Sequence, residues 1–256
     1  MEIGSFIEMQ FPKGKEYYNQ SVDIARLNTG RSAIWHAFRV SGVKAIWIPY
    51  YQCDTVRELL LKHSAKVKFY HTDNDWNPTD LDAKKDEAVL FVNYYGIMSH
   101  KRMSELASLS EHPIIDNCQG FFCEPVAGAL NIYSCRKFVG VPDGSYVIGK
   151  GAHKYVGEYP QCYSSDTAAF LLMRIEYGCE GKGYEARHIN EQRIDTEDIM
   201  KMSKLTRTIL DGTDYEQIKQ KRRDNFDYMH NRWVASTRLI RSSIIMKRLS
   251  LWCIRW

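Results

Sequence analysis

The 256-residue sequence has no run of roughly eighteen apolar residues, so no membrane-spanning helix is expected. It has no Cys-x-x-Cys pair either. Its seven cysteines (Cys53, Cys118, Cys123, Cys135, Cys162, Cys179 and Cys253) are odd in number and scattered. That pattern argues against a disulfide framework or a zinc ribbon and fits a reducing cytosol. His36, His63, His71, His100, His112, His153, His188 and His230 show no ligand spacing, and no metal is assigned. The N-terminal stretch MEIGSFIEMQFPKGKEYY alternates charge with apolar residues and lacks the apolar core of a signal peptide. Internal repeats and low-complexity segments are missing. A global basic field is missing as well. The net charge of +4 is carried by the last stretch, where Arg238, Arg241, Lys247, Arg248 and Arg255 meet no acid. The body of the chain is close to neutral, which gives no reason to expect nucleic acid.

What is present is the composition of a soluble globular protein, 44% hydrophobic and 26% charged, long enough to bury a sizeable core. Ala45-Ile46-Trp47-Ile48-Pro49 reads as a buried strand closed by proline, and the loop Tyr50–Cys53 leads to a helix from Asp54 to about Lys62. Strands follow at Lys66–Tyr70, Ala88–Val92 and Pro113–Ile115, with a helix over Lys101–Ser108 and a loop over Asp73–Asp82. Strand and helix alternating through short links predicts an α/β fold with a mostly parallel sheet flanked by helices. In such sheets functional groups gather at the carboxyl ends of the strands, where Tyr50–Cys53, Asn93–Gly96 and Asp116–Gln119 all fall. Later, Asp166–Tyr177, Glu185–Gln192, Thr196–Leu210 and Tyr215–Arg232 read as helices.

Two stretches carry chemistry. Asn131–Ile148 has β-prone ends around a polar centre with Ser134, Arg136 and Lys137, then Gly140 and the turn Pro142-Asp143-Gly144. A lysine there suits a place where backbone approaches a ligand, although an ordinary hairpin with one solvated lysine has the same signature. Leu27–Ala33 opens a helix through Asn28, Thr29 and Gly30, so free N–H groups and a hydroxyl stand ready for an anion. One cofactor, pyridoxal phosphate, needs these parts together: a lysine that holds it covalently, an acid for its ring nitrogen and a phosphate cradle. Lys137, Asp116, and Gly30, Arg31 and Ser32 supply them, with Ser134 adding a hydroxyl.

The segments LNTGRSAIWHAF, IWIPYYQCDTV, VLFVNYYG, IIDNCQGFF and YSCRKFVGVPDGSYV, in that order, resemble the DegT/DnrJ/EryC1/StrS family of pyridoxal-phosphate-dependent sugar aminotransferases. The resemblance runs through about Leu27–Val147 and more weakly to about Trp233. It implies the fold type I large domain over residues 1–165, a helical continuation over 166–233, and no complete small domain. By the same resemblance Lys137 matches the cofactor-holding lysine and Asp116 the carboxylate at the pyridine nitrogen. Gln119 matches the glutamine near the phenolic oxygen, and Gly30 and Arg31 match the positions whose N–H groups hold the phosphate. Ser134 matches a hydroxyl ligand. Cys53 stands where the family places the aromatic that covers the ring, so Tyr51 is assigned that part. The family often has a serine five residues before its lysine; here Ile132 stands there, and the glycine-rich bend after it is shorter. These departures mark a divergent branch.

The implied activity is transfer of an amino group from an amino acid, glutamate by resemblance, to a nucleotide-linked keto sugar in amino-sugar or surface-polysaccharide biosynthesis. A homodimer in the cytoplasm is implied with it. The alternative is a truncated or inactive relative with a binding role. Residues 234–256 show no family match and read either as a tail foreign to the fold or as a basic amphipathic helix, Ile240, Ile244 and Leu251 on one face, lying on a membrane or partner.

Overall fold

The structure is a computed structural model that describes residues 7–19 and 23–233. The tail reading at 234–256 lies outside the described residues. Seven strands form one sheet among the described residues: β1 (Ile24–Leu27), β2 (Ala45–Pro49), β3 (Lys66–Tyr70), β4 (Glu87–Val92), β5 (His112–Asp116), β6 (Leu130–Ser134) and β7 (Ser145–Ile148). Their order is β1-β7-β6-β5-β4-β2-β3. Strands β2 to β6 run parallel, while β7 is antiparallel to both β6 and β1. The expected mostly parallel α/β sheet is therefore present. Registers Val92↔Asp116 and Asp116↔Ile132 align the carboxyl ends of β4, β5 and β6. The loops after them consequently open at one edge.

The central strands are buried on both faces, which their near-continuous apolar runs AVLFV and PII anticipate. Leu90, Ile114, Ile132 and Val147 point to one face. There α1 (Gly30–Ser41) buries Ala33, Ile34, Ala37 and Phe38 at helical spacing, beside α2 (Asp54–Lys62) with Val56, Leu59 and Leu60. Val89, Phe91 and Ile115 point the other way, against Met103 and Leu106 of α3 (His100–Ala107). On that same side Tyr133 and Tyr146 meet Tyr18 and Phe121 in an aromatic cluster, which ties the N-terminal segment down.

After β7 come α4 (Ala169–Tyr177), α5 (Lys182–Thr196), α6 (Lys204–Asp211) and α7 (Tyr215–Trp233). The helix read over Thr196–Leu210 is corrected: Thr196 ends α5, and a new helix starts only after Ser203. The residues between are drawn out along the sheet edge. Asn28 N–H donates to Met200 O (3.0 Å) and Met202 N–H to Arg26 O (3.0 Å), while Lys201 bridges Leu27 and Gln161. An unpaired edge of β1 satisfies its backbone groups this way, and that long-range demand outweighs local helix propensity. Ser203 then caps α6, its side chain accepting from Thr206 N–H. Among the described residues no helix is long and apolar enough to cross a membrane, and no group of His, Cys, Asp or Glu could hold a metal.

Candidate functional site

The site lies at the carboxyl ends of β4, β5 and β6, facing the start of α1. Thr29 caps α1 in extended backbone, and its Oγ1 accepts from Ser32 N–H. Its carbonyl takes Ala33 N–H (3.0 Å). The N–H groups of Gly30 and Arg31 are left without a protein acceptor among the described residues. They are oriented by the helix as anion ligands. A Cβ on Gly30 would stand 2.8 Å from Cys118 Sγ, so any larger residue there would force the Cys118 side chain to shift. Ser32 is consumed by the cap, its Oγ 2.7 Å from Thr29 Oγ1. Arg31 turns its guanidinium away, to Ile194 O and to Asp195 (3.3 Å). What Arg31 offers at this point is its backbone.

Asp116 ends β5 and is 6% exposed. Its Oδ1 accepts Cys118 N–H (2.9 Å) and its Oδ2 accepts Gln52 Nε2 (3.1 Å). Beyond Asp116 the chain is pinned by Asn117 N–H to Ile132 O (2.8 Å) and by Asn93 Nδ2 to Asn117 Oδ1 (2.8 Å). Gln119 is exposed, and its backbone lies so close to Gly96 that a Cβ there would be 2.2 Å from Gln119 O. Ser134 is buried at the end of β6, followed by a single 3₁₀ turn, Cys135–Lys137. Cys135 N–H donates to Gly144 O (3.0 Å), and Gly144 N–H to Asn28 O (2.6 Å), which joins the lysine turn to the start of α1. Arg222 of α7 donates to Lys137 O (2.8 Å). The Lys137 side chain is exposed, and its amine has no hydrogen-bond or ion-pair partner among the described residues.

Lys137 and Asp116 meet electrostatically at one thiol. Burial pushes Cys118 well up; the Asp116 charge adds to that, and the Lys137 charge opposes it. Tyr94 is raised by burial and then by Asp116. The thiol that abuts Gly30 thus lies within the fields of both the amine and the carboxylate. The start of α1 adjoins the same thiol through Gly30.

Of the residues read from sequence, Gly30, Asp116, Ser134 and Lys137 come together here, and Gln119 lies on the adjoining loop. Tyr51 is 59% exposed, its ring against Trp76 and Tyr94 and its hydroxyl 3.2 Å from that of Tyr95. Its carbonyl accepts from Tyr94 Oη (2.9 Å), so Tyr51 belongs to an aromatic group beside the site. Sequence reading missed Gln52 and Cys118. Their signal was position alone, next to Tyr51 and two residues past Asp116. Asp143, in the turn after the lysine, is fully buried and serves Ser203 and Thr206 at the start of α6, which leaves it no part in chemistry.

No family model matches the chain, and no curated protein does. Among solved structures it is similar to NtdA of Bacillus subtilis with bound PMP (TM-score 0.52, 13% identity, 83% of this chain and 48% of that one). It is also similar to the sugar aminotransferase CalS13 of Micromonospora echinospora (0.51, 13%, 85% and 63%). A third is an aspartate aminotransferase of Thermotoga maritima (0.50, 12%, 83% and 57%). At these identities the likeness defines the fold, that of the pyridoxal-phosphate-dependent aminotransferases of fold type I. The chain spans between 48% and 63% of the length of these structures.

Proposed function

We propose that the protein is a pyridoxal-phosphate-dependent aminotransferase, a divergent relative of the DegT/DnrJ/EryC1/StrS enzymes, acting on a small amino donor and a nucleotide-linked keto sugar. The observation that carries this reading is that the turn bearing Lys137 is hydrogen-bonded through Gly144 to Asn28 at the start of α1, while the buried Asp116 ends the neighbouring strand, two residues before the Cys118 thiol that abuts Gly30. The residues fit the cofactor: a glycine at a helix start with open N–H groups, a buried carboxylate met by neutral donors, and an amine without a partner among the described residues. Gly30 and Arg31 N–H groups and the Ser134 hydroxyl would hold the phosphate, Asp116 the ring nitrogen, Gln119 the region of the phenolic oxygen and Tyr51 an edge or face of the ring. Bound there, the cofactor supplies an electron sink for a carbon that loses its proton.

The chain's own groups do the rest. Asp116, out of water, would keep a proton on the ring nitrogen of the cofactor. Lys137 would anchor the cofactor and, once freed, would move the proton at the reacting carbon. The donor's keto product leaves before the keto acceptor enters, so the two substrates share one site. Glutamate is the proposed donor, residues 1–165 the proposed cofactor-binding unit and a homodimer in the cytoplasm the proposed working form. The test is a donor half-reaction: protein loaded with cofactor and mixed with glutamate should release one equivalent of 2-oxoglutarate per site. No release with any of the twenty amino acids, from protein that holds the cofactor, contradicts the reading.

A further inference from the structure

Asp116 is a buried carboxylate whose hydrogen-bond partners among the described residues are both neutral. Cys118 N–H, a local turn contact, holds Oδ1. Gln52 holds Oδ2 from further away: it leaves the end of β2 and reaches past the end of β4 to β5, two strands across, on the order of 10 Å. Two contacts make that reach rigid. Gln52 N–H donates to Tyr50 O (3.0 Å), and Tyr94 Oη, from the turn after β4, donates to Tyr51 O (2.9 Å).

The Gln52 amide also has a fixed direction. Its Oε1 accepts Cys53 N–H at 2.8 Å. Turned over, the amide would set its NH₂ against that N–H and its oxygen against the carboxylate, two repulsions in place of two hydrogen bonds. Gln52 can therefore only donate to Asp116. With one protein N–H on each oxygen, the carboxylate cannot rotate, and its remaining lone pairs can accept only from the site.

The geometry points to Gln52 as a positioning residue that clamps Asp116 as a pure acceptor, so that the pocket selects a ring carrying an N–H over one carrying a carbon at that position. The inference rests on the cofactor reading above and adds the group that enforces it. Gln52 does not touch the reacting atoms. It acts through Asp116.

The test compares dissociation constants of pyridoxal phosphate and its 1-deaza analogue, which has a carbon in place of the ring nitrogen, by equilibrium dialysis at neutral pH. Wild type is expected to prefer pyridoxal phosphate. Gln52→Leu, which keeps the bulk and removes the donor, is expected to lower that preference about tenfold, the effect of one hydrogen bond to a charged group, with little change for the analogue. Gln52→Glu should abolish the preference at neutral pH, where two carboxylates oppose each other. It should regain it at acid pH, where the introduced carboxyl carries a proton and donates. A purely structural role would move both ligands together and show no such recovery. An unchanged preference in Gln52→Leu, or in Gln52→Glu at neutral pH should the leucine variant not fold, overturns the inference and leaves the cofactor reading standing. A wild type that binds neither ligand, or binds both equally, overturns the inference and the assigned part of Asp116 together.

Discussion

Gly96 and Gly42 share a backbone conformation and differ in what surrounds them, and that contrast can be measured. Their φ angles are +69° and +75°. At Gly42, after α1, a Cβ would find nothing within 4 Å. At Gly96, between β4 and α3, it would stand 2.2 Å from Gln119 O and 2.9 Å from Gln119 C, backbone atoms that no rotamer change can move. Alanine at position 42 should cost about 1 kcal/mol, the left-handed term alone. Alanine at position 96 should add about 1–3 kcal/mol for overpacking. For a chain of this size each kcal/mol lowers Tm by roughly 2–4 °C, so Gly42→Ala should fall by roughly 2–4 °C and Gly96→Ala by at least twice that. Far-UV circular dichroism melts of the two variants suffice. Because the clash is with the Gln119 backbone, Gly96→Ala should also weaken pyridoxal phosphate binding, and Gly42→Ala should not. Equal melting points for the two variants would refute the close approach of the two loops, and with it the placement of Gln119.

Thr29→Ala removes the side-chain cap of α1 and should cost about 1 kcal/mol of stability in denaturant unfolding. The same variant should lower phosphate affinity, read with inorganic phosphate as competitor against the cofactor. Glu16, only 1% exposed, is shared by Arg26, Arg207 and Tyr146 Oη (2.9 Å), and Glu16→Gln should destabilise by about 3 kcal/mol because two guanidinium groups lose their common anion. Glu87 titrates at about 2 against an ordinary 4.5: burial opposes this shift, but hydrogen bonds from Lys68, Trp47 and Lys84 N–H outweigh it. A carboxyl depressed in the folded state stabilises above its unfolded value, so this contribution should be lost as pH falls from about 5 to about 2. Glu87→Gln should flatten the pH dependence of Tm across that window, and an unchanged profile would contradict the assignment.

Much of the scaffold was legible because local and long-range preferences agree. Ala45–Pro49 and Lys66–Tyr70 are strands in sequence and in structure, and Thr29-Gly30 both signals and forms a capped helix start. Reading failed where the sheet edge decided. Ile199–Ser203 carries helix-forming Met and Lys, yet it pairs with β1 and residues 160–162 because an open edge must be satisfied. At the site, Lys137 and Asp116 were visible as residue types at strand ends. Gln52 was not, since nothing in Tyr-Tyr-Gln-Cys tells which residue of the loop reaches two strands across. Ser32 and the backbone of Arg31 were read as phosphate ligands from their place at a helix start. Where the Arg31 side chain goes was not legible, because its partners are distant: Ile194 and Asp195, over 160 positions away, take the guanidinium.

The central claim is that Lys137 and Asp116 form one cofactor site, and visible absorption of the purified protein with added pyridoxal phosphate tests it most directly. Wild type should turn yellow, and borohydride should fix the label on the peptide that carries Lys137. Lys137→Ala should stay colourless and unlabelled while keeping its fold. A folded wild type that gives no band, or a label that lands on another lysine, would contradict the account.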